Sequence, residues 1–575
     1  MKEANKERSS SKYLVLAGTT IVTVIVALIL NYALLPAQNI HSSGIWWFWV
    51  LIAVIATVFS IIFHAIDNEI HSNYREPFIQ THIISLILGA GICSLLIAIF
   101  LTSISGWKIR HAYEYANLIE VGEGSFEEDV PRINDTAVIV DMKTAQKLGD
   151  RTVGTIPHAS WYEVDDEYNL IAVNGEYYRI SSLKYAGFFA YNKAKNDGIP
   201  GYVLVNAKTQ EAQYVELEVS MKYAPSAFWS YDLSRHIHGQ YPSYIFGKSF
   251  FEIDDNYNPY WITSICTPKI GLRGAPVISS ILVTNAVTGE STEYSVDEIP
   301  AWIDHAYSID YLMDVIGYYY RYQNGWWNPS NTNVFHTAYH YKDSKKDDDE
   351  NKYTPFEGYN SMLDAEGSIW FYTGITPANS AETNVGFVLA SPRTGEVKYF
   401  ECNGAEEFSA QVAAEGLVQN LGYSASFPNM INVDGVPTYF MVLKDDGGLV
   451  QRYALCNVAQ YTKVVQAETL EGALKAYRTK MMLNTETEET TDDTGMATEV
   501  THETSTISGV VSQVKEAQID GYTYYYFMLE GEEKVFMSSI QNSNLQPLKL
   551  VVGAEVELEY YSAYDAEFVT SIKIK

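Results

Sequence analysis

Two clusters of acidic and aromatic residues are the best suited to chemistry in this chain. In the first, Glu252, Asp254 and Asp255 lie beside Phe250, Phe251, Tyr257, Tyr260 and Trp261. In the second, Asp304, Asp310 and Asp314 lie near Trp302, Trp326 and Trp327, with His305 directly after Asp304. Carboxylates beside aromatic platforms suit the binding of glycans or peptides. Glycoside hydrolysis needs two carboxylates about 5–10 Å apart across the scissile bond. An acidic surface with aromatic rings packed beneath it produces the same pattern. Two histidine pairs stand at metal-compatible spacing: His236 with His238 on one face of an extended chain, and His336 with His340 one helical turn apart. A protein metal site uses three or four ligands, and neither pair has an evident third. No G-x-S-x-G elbow, H-E-x-x-H, P-loop or EF-hand loop is present. The candidate binding residues are therefore Asp254, Asp255, Trp261, Trp302, Asp304, His305, Trp326 and Trp327, with no catalytic residue, metal or cofactor assigned.

These residues sit in a chain of 575 residues, too long for one compact domain. Its formal charge of −31 repels nucleic acid, which needs a basic surface. Tyrosine is abundant, at 44 residues, and its flat ring with a polar tip suits interfaces as well as half-exposed strands. Of the four cysteines, Cys93 lies in an apolar run and Cys266, Cys402 and Cys456 lie downstream. One bridge between Cys402 and Cys456 is possible, but a chain of this size does not need one, and buried free thiols are expected.

The clusters must be positioned relative to a membrane. Residues 13–35, 45–66 and 83–104 are apolar runs, each long enough to cross about 30 Å of hydrocarbon. Trp46, Trp47 and Trp49 open the second run, and Trp107 follows the third, at headgroup positions. The N-terminal tail, 1–12, carries Lys2, Lys6, Arg8 and Lys12, whereas the first loop has no Lys or Arg and the second has Arg75. This bias predicts an N-terminus inside and a large C-terminal region outside the plasma membrane; Lys108 and Arg110 weigh the other way.

After a short stalk at 107–129, residues 130–482 read as an α+β region built on repeated hairpins. Ile281, Leu282 and Val283 lead through Asn285 to Thr288-Gly289-Glu290 and then Tyr294. Val203, Leu204 and Val205 lead through Asn206 to Thr209-Gln210-Glu211 and Tyr214, and Phe387, Val388 and Leu389 lead through Ser391 to Thr394-Gly395-Glu396 and Tyr399. A looser copy runs from Phe440 through Asp445-Asp446-Gly447 to Tyr453. The spacing predicts strands at 137–143 and 369–373 and helices within 226–241 and at 308–320, 404–421 and 467–482, the third of these helices capped by Asn403. Asn174-Gly175 predicts a type I′ hairpin.

The hydrophobic strand, Thr-Gly-Glu turn and extended strand resemble the hairpin of PepSY domains, and the helix at 404–421 before the hairpin near 437–458 is similar to the PepSY order. The resemblance implies an envelope protein whose domains bind or restrain other proteins, often extracytoplasmic peptidases.

Residues 483–505 are a Thr/Glu-rich stretch without apolar residues enough for a core, so a disordered linker is expected. Residues 506–575 read as five strands and resemble an OB-type barrel. The sequence thus predicts three transmembrane helices, a large extracytoplasmic domain and a small all-β module. It suggests a non-enzymatic envelope binding or scaffold protein whose partner is a protein or a cell-wall polymer. The alternative is a cell-wall glycan hydrolase.

Overall fold

The computed structural model describes residues 2–70, 83–132, 138–152, 154, 158–327, 335–338, 358–377, 383–484, 505–519, 522–532, 534–539, 549–563 and 566–575. Arg75, His340, the acidic loop at 342–352 and most of the 483–505 linker lie outside them. The chain divides into two compact units, Met1–Leu470 and Glu471–Lys575.

The first unit opens with helices Lys2–Leu34, Ser43–Ile70 and Ile83–Ile104. All three are long and apolar enough to cross a membrane. Leu28, Ile29, Ile87, Phe100 and Leu101 are exposed on them, as a lipid-facing surface requires. The sheet-rich region meets the ends of these helices. Arg273 donates from Nη2 to the Ile99 carbonyl at 2.5 Å, Thr102 Oγ1 at 2.5 Å and Ser103 Oγ at 2.6 Å. Leu272 N–H donates to Ser105 Oγ at 3.0 Å, Gln38 N–H to the Pro242 carbonyl at 2.7 Å, and the Arg235 guanidinium lies 5.2 Å from the Tyr32 ring centroid.

The sheet-rich region is four modules in sequence, each a helix followed by an antiparallel meander. The first has helix Met142–Thr152 and strands Tyr162–Val164, Asn169–Val173, Glu176–Tyr185, Ile199–Asn206 and Ala212–Met221. The second has helix Leu233–Gln240 and strands Ile245–Ile253, Pro259–Ile270, Gly274–Asn285 and Ser291–Ser295. The third has helix Ile309–Tyr322 and strands Phe335–Thr337, Asn360–Leu363, Ile369–Pro377, Thr383–Ala390 and Val397–Ala405. The fourth has helix Glu407–Gly416 and strands Ser424–Ala425, Asn429–Val433, Val436–Lys444, Val450–Asn457 and Val464–Ala467.

In every module the first strand of the meander is interrupted. Tyr162–Val164 and Asn169–Val173 pair with the same neighbour, as do Phe335–Thr337 with Asn360–Leu363, and Ser424–Ala425 with Asn429–Val433. In the second module a register shift between Phe246 and Ser249 does the same. Apolar clusters then join the modules: Phe250, Ile262 and Ile281 pack with Phe371, Ile375 and Val388, while Tyr372, Phe387 and Phe400 pack with Tyr439, Met441 and Leu443.

The three Thr-x-Glu turns share one geometry. The Asn206 and Asn285 side chains each accept two backbone N–H groups, those of residues 208 and 209 and of residues 287 and 288, and Ser391 Oγ accepts the N–H of Thr394. Thr209, Thr288 and Thr394 accept from the Glu two residues on. The position between Thr and Glu is left-handed in all three, with φ of 64° at Gln210, 77° at Gly289 and 75° at Gly395. Gln210 departs from glycine and uses its side chain to tie two modules together, since its Oε1 accepts the Val450 N–H of the fourth module at 3.1 Å. At Gly289 an added Cβ would lie 2.5 Å from the Tyr223 ring in an already disfavoured conformation. Gly289→Ala is therefore expected to cost more than about 1 kcal/mol in chemical or thermal unfolding.

Each such turn also holds the segment leading into its own module. The Ala207 carbonyl accepts from Ile139 and Val140, Ala286 from Lys222 and Tyr223, Pro392 from Ala306 and Tyr307, and Val458 from Ala405. The fourth copy of the turn is thus the one beginning at Asn457. The 445–449 turn, expected as that copy, joins the second and third strands of its meander instead. Residues 138–141 join no sheet, because the N–H groups of Ile139 and Val140 go to Ala207; Asp141 then caps a helix where the sequence predicted strand. Asn403 lies within strand Val397–Ala405, so Glu406 precedes the fourth module's helix. Asn174-Gly175 forms the expected tight turn, with φ of 51° and 82°.

In the second unit, strands Ser505–Ile519, Tyr522–Leu529, Phe536–Ser539, Glu555–Ala563 and Ala566–Ile574 pair in the order first, second, third, fifth, fourth, and the fourth pairs back to the first. Phe527, Phe536, Val556 and Leu558 lie at its core.

Candidate functional site

Described residues at or beside the interruptions of the four first strands line one cavity of about 290 Å³. Glu167, Tyr168 and Asn169 come from the first module, Lys248 and Phe250 from the second, Tyr359 and Asn360 from the third, and Ser424, Ser426 and Phe427 from the fourth. Broken strands suit this position, because a continuous ladder would present only alternate side chains at fixed spacing.

Charged groups enter from the elements around these breaks. Lys444, on the second strand of the fourth module's meander, reaches Asp141 Oδ2 at 2.5 Å, and both are largely shielded. Asp141 Oδ1 accepts the Thr144 N–H at 2.8 Å, so one carboxylate caps a helix and neutralises a buried lysine. Burial alone would raise the Asp141 pKa, but the Lys444 charge and hydrogen bond hold it below its usual value. Lys248 pairs with Glu167 at 3.0 Å. Arg179, 4% exposed, donates from Nε to the Val140 carbonyl at 3.0 Å and from Nη1 to Ser361 Oγ at 3.4 Å.

His305 closes one wall of the cavity. Its Nδ1 lies 2.8 Å from Glu252 Oε1, and Glu252 also accepts the backbone N–H groups of Asp304 at 2.9 Å and His305 at 2.8 Å. Phe250 flanks the imidazole, with ring centroids 5.5 Å apart. Burial pushes Glu252 up to about 8 against those backbone donors, and pushes His305 down to about 4. Asp304 is raised to about 7 by burial and by the neighbouring Glu252. One proton held between Glu252 Oε1 and His305 Nδ1 satisfies both groups. Arg393 fixes the segment that delivers His305, donating to the carbonyls of Ile299, Ala301 and Ile303 at 3.0, 2.7 and 2.6 Å.

Of the residues expected to bind from sequence, His305 lines the cavity and Asp304 lies behind it, accepting the Ala172 N–H at 2.7 Å. Trp302 packs on Tyr260, with ring centroids 4.9 Å apart. Trp261 is buried and donates from Nε1 to the Tyr223 carbonyl at 3.0 Å. Asp254 organises a hairpin turn through the N–H groups of Asn256 and Asn258, and the carbonyl of Asp255 accepts from Asn174 Nδ2. Trp326 stacks on Tyr322 near the third membrane helix, and Trp327 is 81% exposed. The structure therefore does not gather these residues into one site. Sequence reasoning missed Asp141 and Arg179 of the first module, Lys248 of the second, and Glu415 and Lys444 of the fourth. The only local signal was a charged residue closing an apolar run, as Lys444 does after Phe440–Leu443.

His236 Nε2 lies 2.7 Å from the Gly289 carbonyl oxygen, which can only accept, and 2.8 Å from Gln240 Nε2, which is a packing role, and no cluster of three or more metal-ligating side chains occurs among the described residues. All four cysteines are free thiols. Neither a comparison with protein-family models nor one with curated proteins finds a match for this chain.

Proposed function

We propose that this protein is a membrane-anchored binding protein of the cell envelope, non-enzymatic, which engages a ligand or the tip of a partner molecule through the cavity between its four modules. The observation that carries this reading is that all four first strands break at the same cavity and line it with polar side chains. Its volume of about 290 Å³ stands at the lower end of small-molecule sites, about 300–1,000 Å³. Binding is favoured over glycan hydrolysis because the lining carboxylates are already engaged within the fold. Asp141 holds Lys444 and a helix cap, and Glu415 accepts the Ala425 N–H at 2.8 Å.

Several observations support the wider assignment. The helix-then-meander module is in keeping with a PepSY-like unit, and the circuit of five paired strands at the C-terminus with an OB-like barrel. The sheet-rich region meets the 36–42 loop and the end of the third helix, which supports an arrangement of three crossings with the modules on the side opposite the Lys- and Arg-bearing N-terminus. In this reading the modules face the outside of the plasma membrane, and the partner is a cell-wall polymer or an envelope protein.

A photo-crosslinking side chain at Tyr423, on the cavity wall, is expected to capture a ligand or envelope partner in intact cells. Turnover of peptidoglycan or a glycan panel by the purified chain would overturn the non-enzymatic reading. A cysteine placed in the 483–505 linker is expected to react with an impermeant thiol reagent on intact cells, and protection there would reverse the orientation.

A further inference from the structure

Three large aromatic side chains stand exposed close to one another: Phe189 is 82% exposed, Trp229 55% and Phe188 41%. Two segments bring them together. Phe188 and Phe189 open the short helix Phe188–Ala194, between the third and fourth strands of the first module, and Trp229 lies on the connection from the first module to the second. Tyr191 Oη donates to the Phe228 carbonyl at 2.8 Å, and the Phe228 ring meets those of Phe188 and Tyr191 at 5.2 and 5.3 Å. Ser226 Oγ accepts the Tyr185 N–H at 3.1 Å and closes the same junction. Trp229 has a left-handed φ of 59°, which a large side chain adopts only at a cost. Packing within the fold accounts for Tyr191 and Phe228, and leaves the exposed faces of the other three unexplained. A contiguous apolar patch of this kind marks a contact site.

The patch lies beside the C-terminal end of the first membrane helix. The Arg235 guanidinium stands 5.2 Å from the Tyr32 ring centroid and pairs at 3.4 Å with Asp232, three residues past Trp229. Burial raises the Tyr191 pKa, and the neighbouring phenols of Tyr231 and Tyr32 raise it further against the hydrogen bond to Phe228, so Tyr191 has Phe228 on one side and Tyr32 within reach on another. Tyr32 shares a helix face with Leu28 and Ile29, and all three are exposed. That stripe faces lipid once the helix crosses a bilayer, and Tyr32, in the last turn, then stands at headgroup level. The loop that follows is held against the second module at the same end, through Gln38 N–H to the Pro242 carbonyl at 2.7 Å and Asn39 Nδ2 to the Ser243 carbonyl at 3.1 Å.

We propose that Phe188, Phe189 and Trp229 form a second membrane contact, in which the modules rest this aromatic patch in the headgroup and upper acyl region of the bilayer that the helices cross. The proposal rests on the helices crossing a bilayer and is independent of the cavity. The occupant is lipid because the patch continues the stripe of Leu28, Ile29 and Tyr32 past the end of the helix, at the depth where amphipathic aromatic rings are favoured. The contact is apolar, in keeping with a chain of formal charge −31, which gains no attraction from anionic headgroups. Arg273 ties the second module to the end of the third helix, and the patch adds a support beside the first.

The test uses the full chain, purified and reconstituted in phosphatidylcholine nanodiscs. An environment-sensitive fluorescent amino acid is placed in turn at Phe189, at Leu34 on the exposed end of the first helix, and at Glu211. Glu211 follows the turn at the far end of strand Ile199–Asn206, whose 8 residues at about 3.3 Å each carry it away from the patch. Part of the lipid carries a doxyl quencher near the headgroup end of its acyl chain. Emission at Leu34 and Phe189 is expected to fall about twofold, and that at Glu211 to stay unchanged, because interfacial groups sit about 5–10 Å into the headgroup and acyl boundary. Trp229→Ser, at an exposed position, is expected to reduce the quenching at Phe189 by about half and to leave that at Leu34 as it was, since it removes one of the inserted rings. Quenching at Leu34 with none at Phe189 would overturn the second contact alone. Absence of quenching at both would overturn the membrane reading on which it rests. Equal quenching at Glu211 and Phe189 would mean that the modules lie on the bilayer as a whole, and would overturn the assignment to this patch. A photo-crosslinker at Phe189 that joins a protein in cells, a second copy of this chain included, while the purified chain shows no lipid quenching there, would give the patch to that protein instead.

Discussion

Lys444→Met is expected to destabilise the modular region by about 3–5 kcal/mol, the cost of leaving a buried carboxylate without its partner. Asp141 and Lys444 come from the first and fourth modules, 2.5 Å apart and largely shielded from water. The lysine supplies the charge that keeps the Asp141 pKa low despite burial. Asp141 cannot simply take up a proton without weakening its second role, because it caps the helix that starts at Met142. The double variant Asp141→Asn with Lys444→Met is expected to recover most of the loss, since Asn caps helices as well as Asp and removes the unpaired charge. Denaturant unfolding of the full chain, followed by tryptophan fluorescence, measures both. A loss below about 1 kcal/mol for Lys444→Met would mean that the pair behaves as a solvated surface bridge.

Glu252→Leu is expected to be as severe, by a different route. The substitution removes the acceptor for the backbone N–H groups of Asp304 and His305 and the partner of His305 Nδ1. Each orphaned group costs about 1–3 kcal/mol in a dry interior. Glu252→Gln keeps one carbonyl oxygen and is expected to fold. The same variant isolates a pH dependence. Glu252 and Asp304 have folded pKa values raised to about 8 and about 7 from 4.5 and 3.8. Their contribution is fully present below the lower values and is lost as pH rises through the folded ones. His305 is depressed from 6.5 to about 4, so its contribution is present above 6.5 and is lost as pH falls toward 4. The two effects oppose each other between about pH 4 and 6.5, and only the carboxyl loss remains above 6.5. The melting temperature is therefore expected to fall between pH 6.5 and 8.5, and more steeply in the native chain than in Glu252→Gln. Equal slopes would remove Glu252 from the explanation.

How much of this was legible in the sequence depends on how local each feature is. The three apolar helices, the Asn174-Gly175 turn and the helix beginning after Ser308 each follow from a run of neighbouring residues. The Thr-x-Glu turns were visible as a repeat because an Asn or Ser and a Thr make the same hydrogen bonds in each. Helix Met142–Thr152 was missed because Val138, Ile139 and Val140 are β-branched and read as strand, whereas a carbonyl from a distant turn decides their partners. The cavity was not legible at all. Its charged residues stand on the first, second and fourth modules, and no spacing rule connects Arg179 with Ser361, or Asp141 with Lys444. His305 was singled out for the unusual exit after Tyr294, and what fixes it in place, Arg393 on the next module's turn, lies outside that local pattern.

Arg273, whose guanidinium bonds the Ile99 carbonyl and the hydroxyls of Thr102 and Ser103, bears on how this protein meets anything else in its membrane. With the three helices across a bilayer, the modules cannot tilt without drawing that side chain out of its socket. The cavity then keeps one height above the lipid surface. A partner anchored in the same bilayer finds it by a search in two dimensions, already presented at the correct level, while a soluble molecule must arrive from the bulk in three.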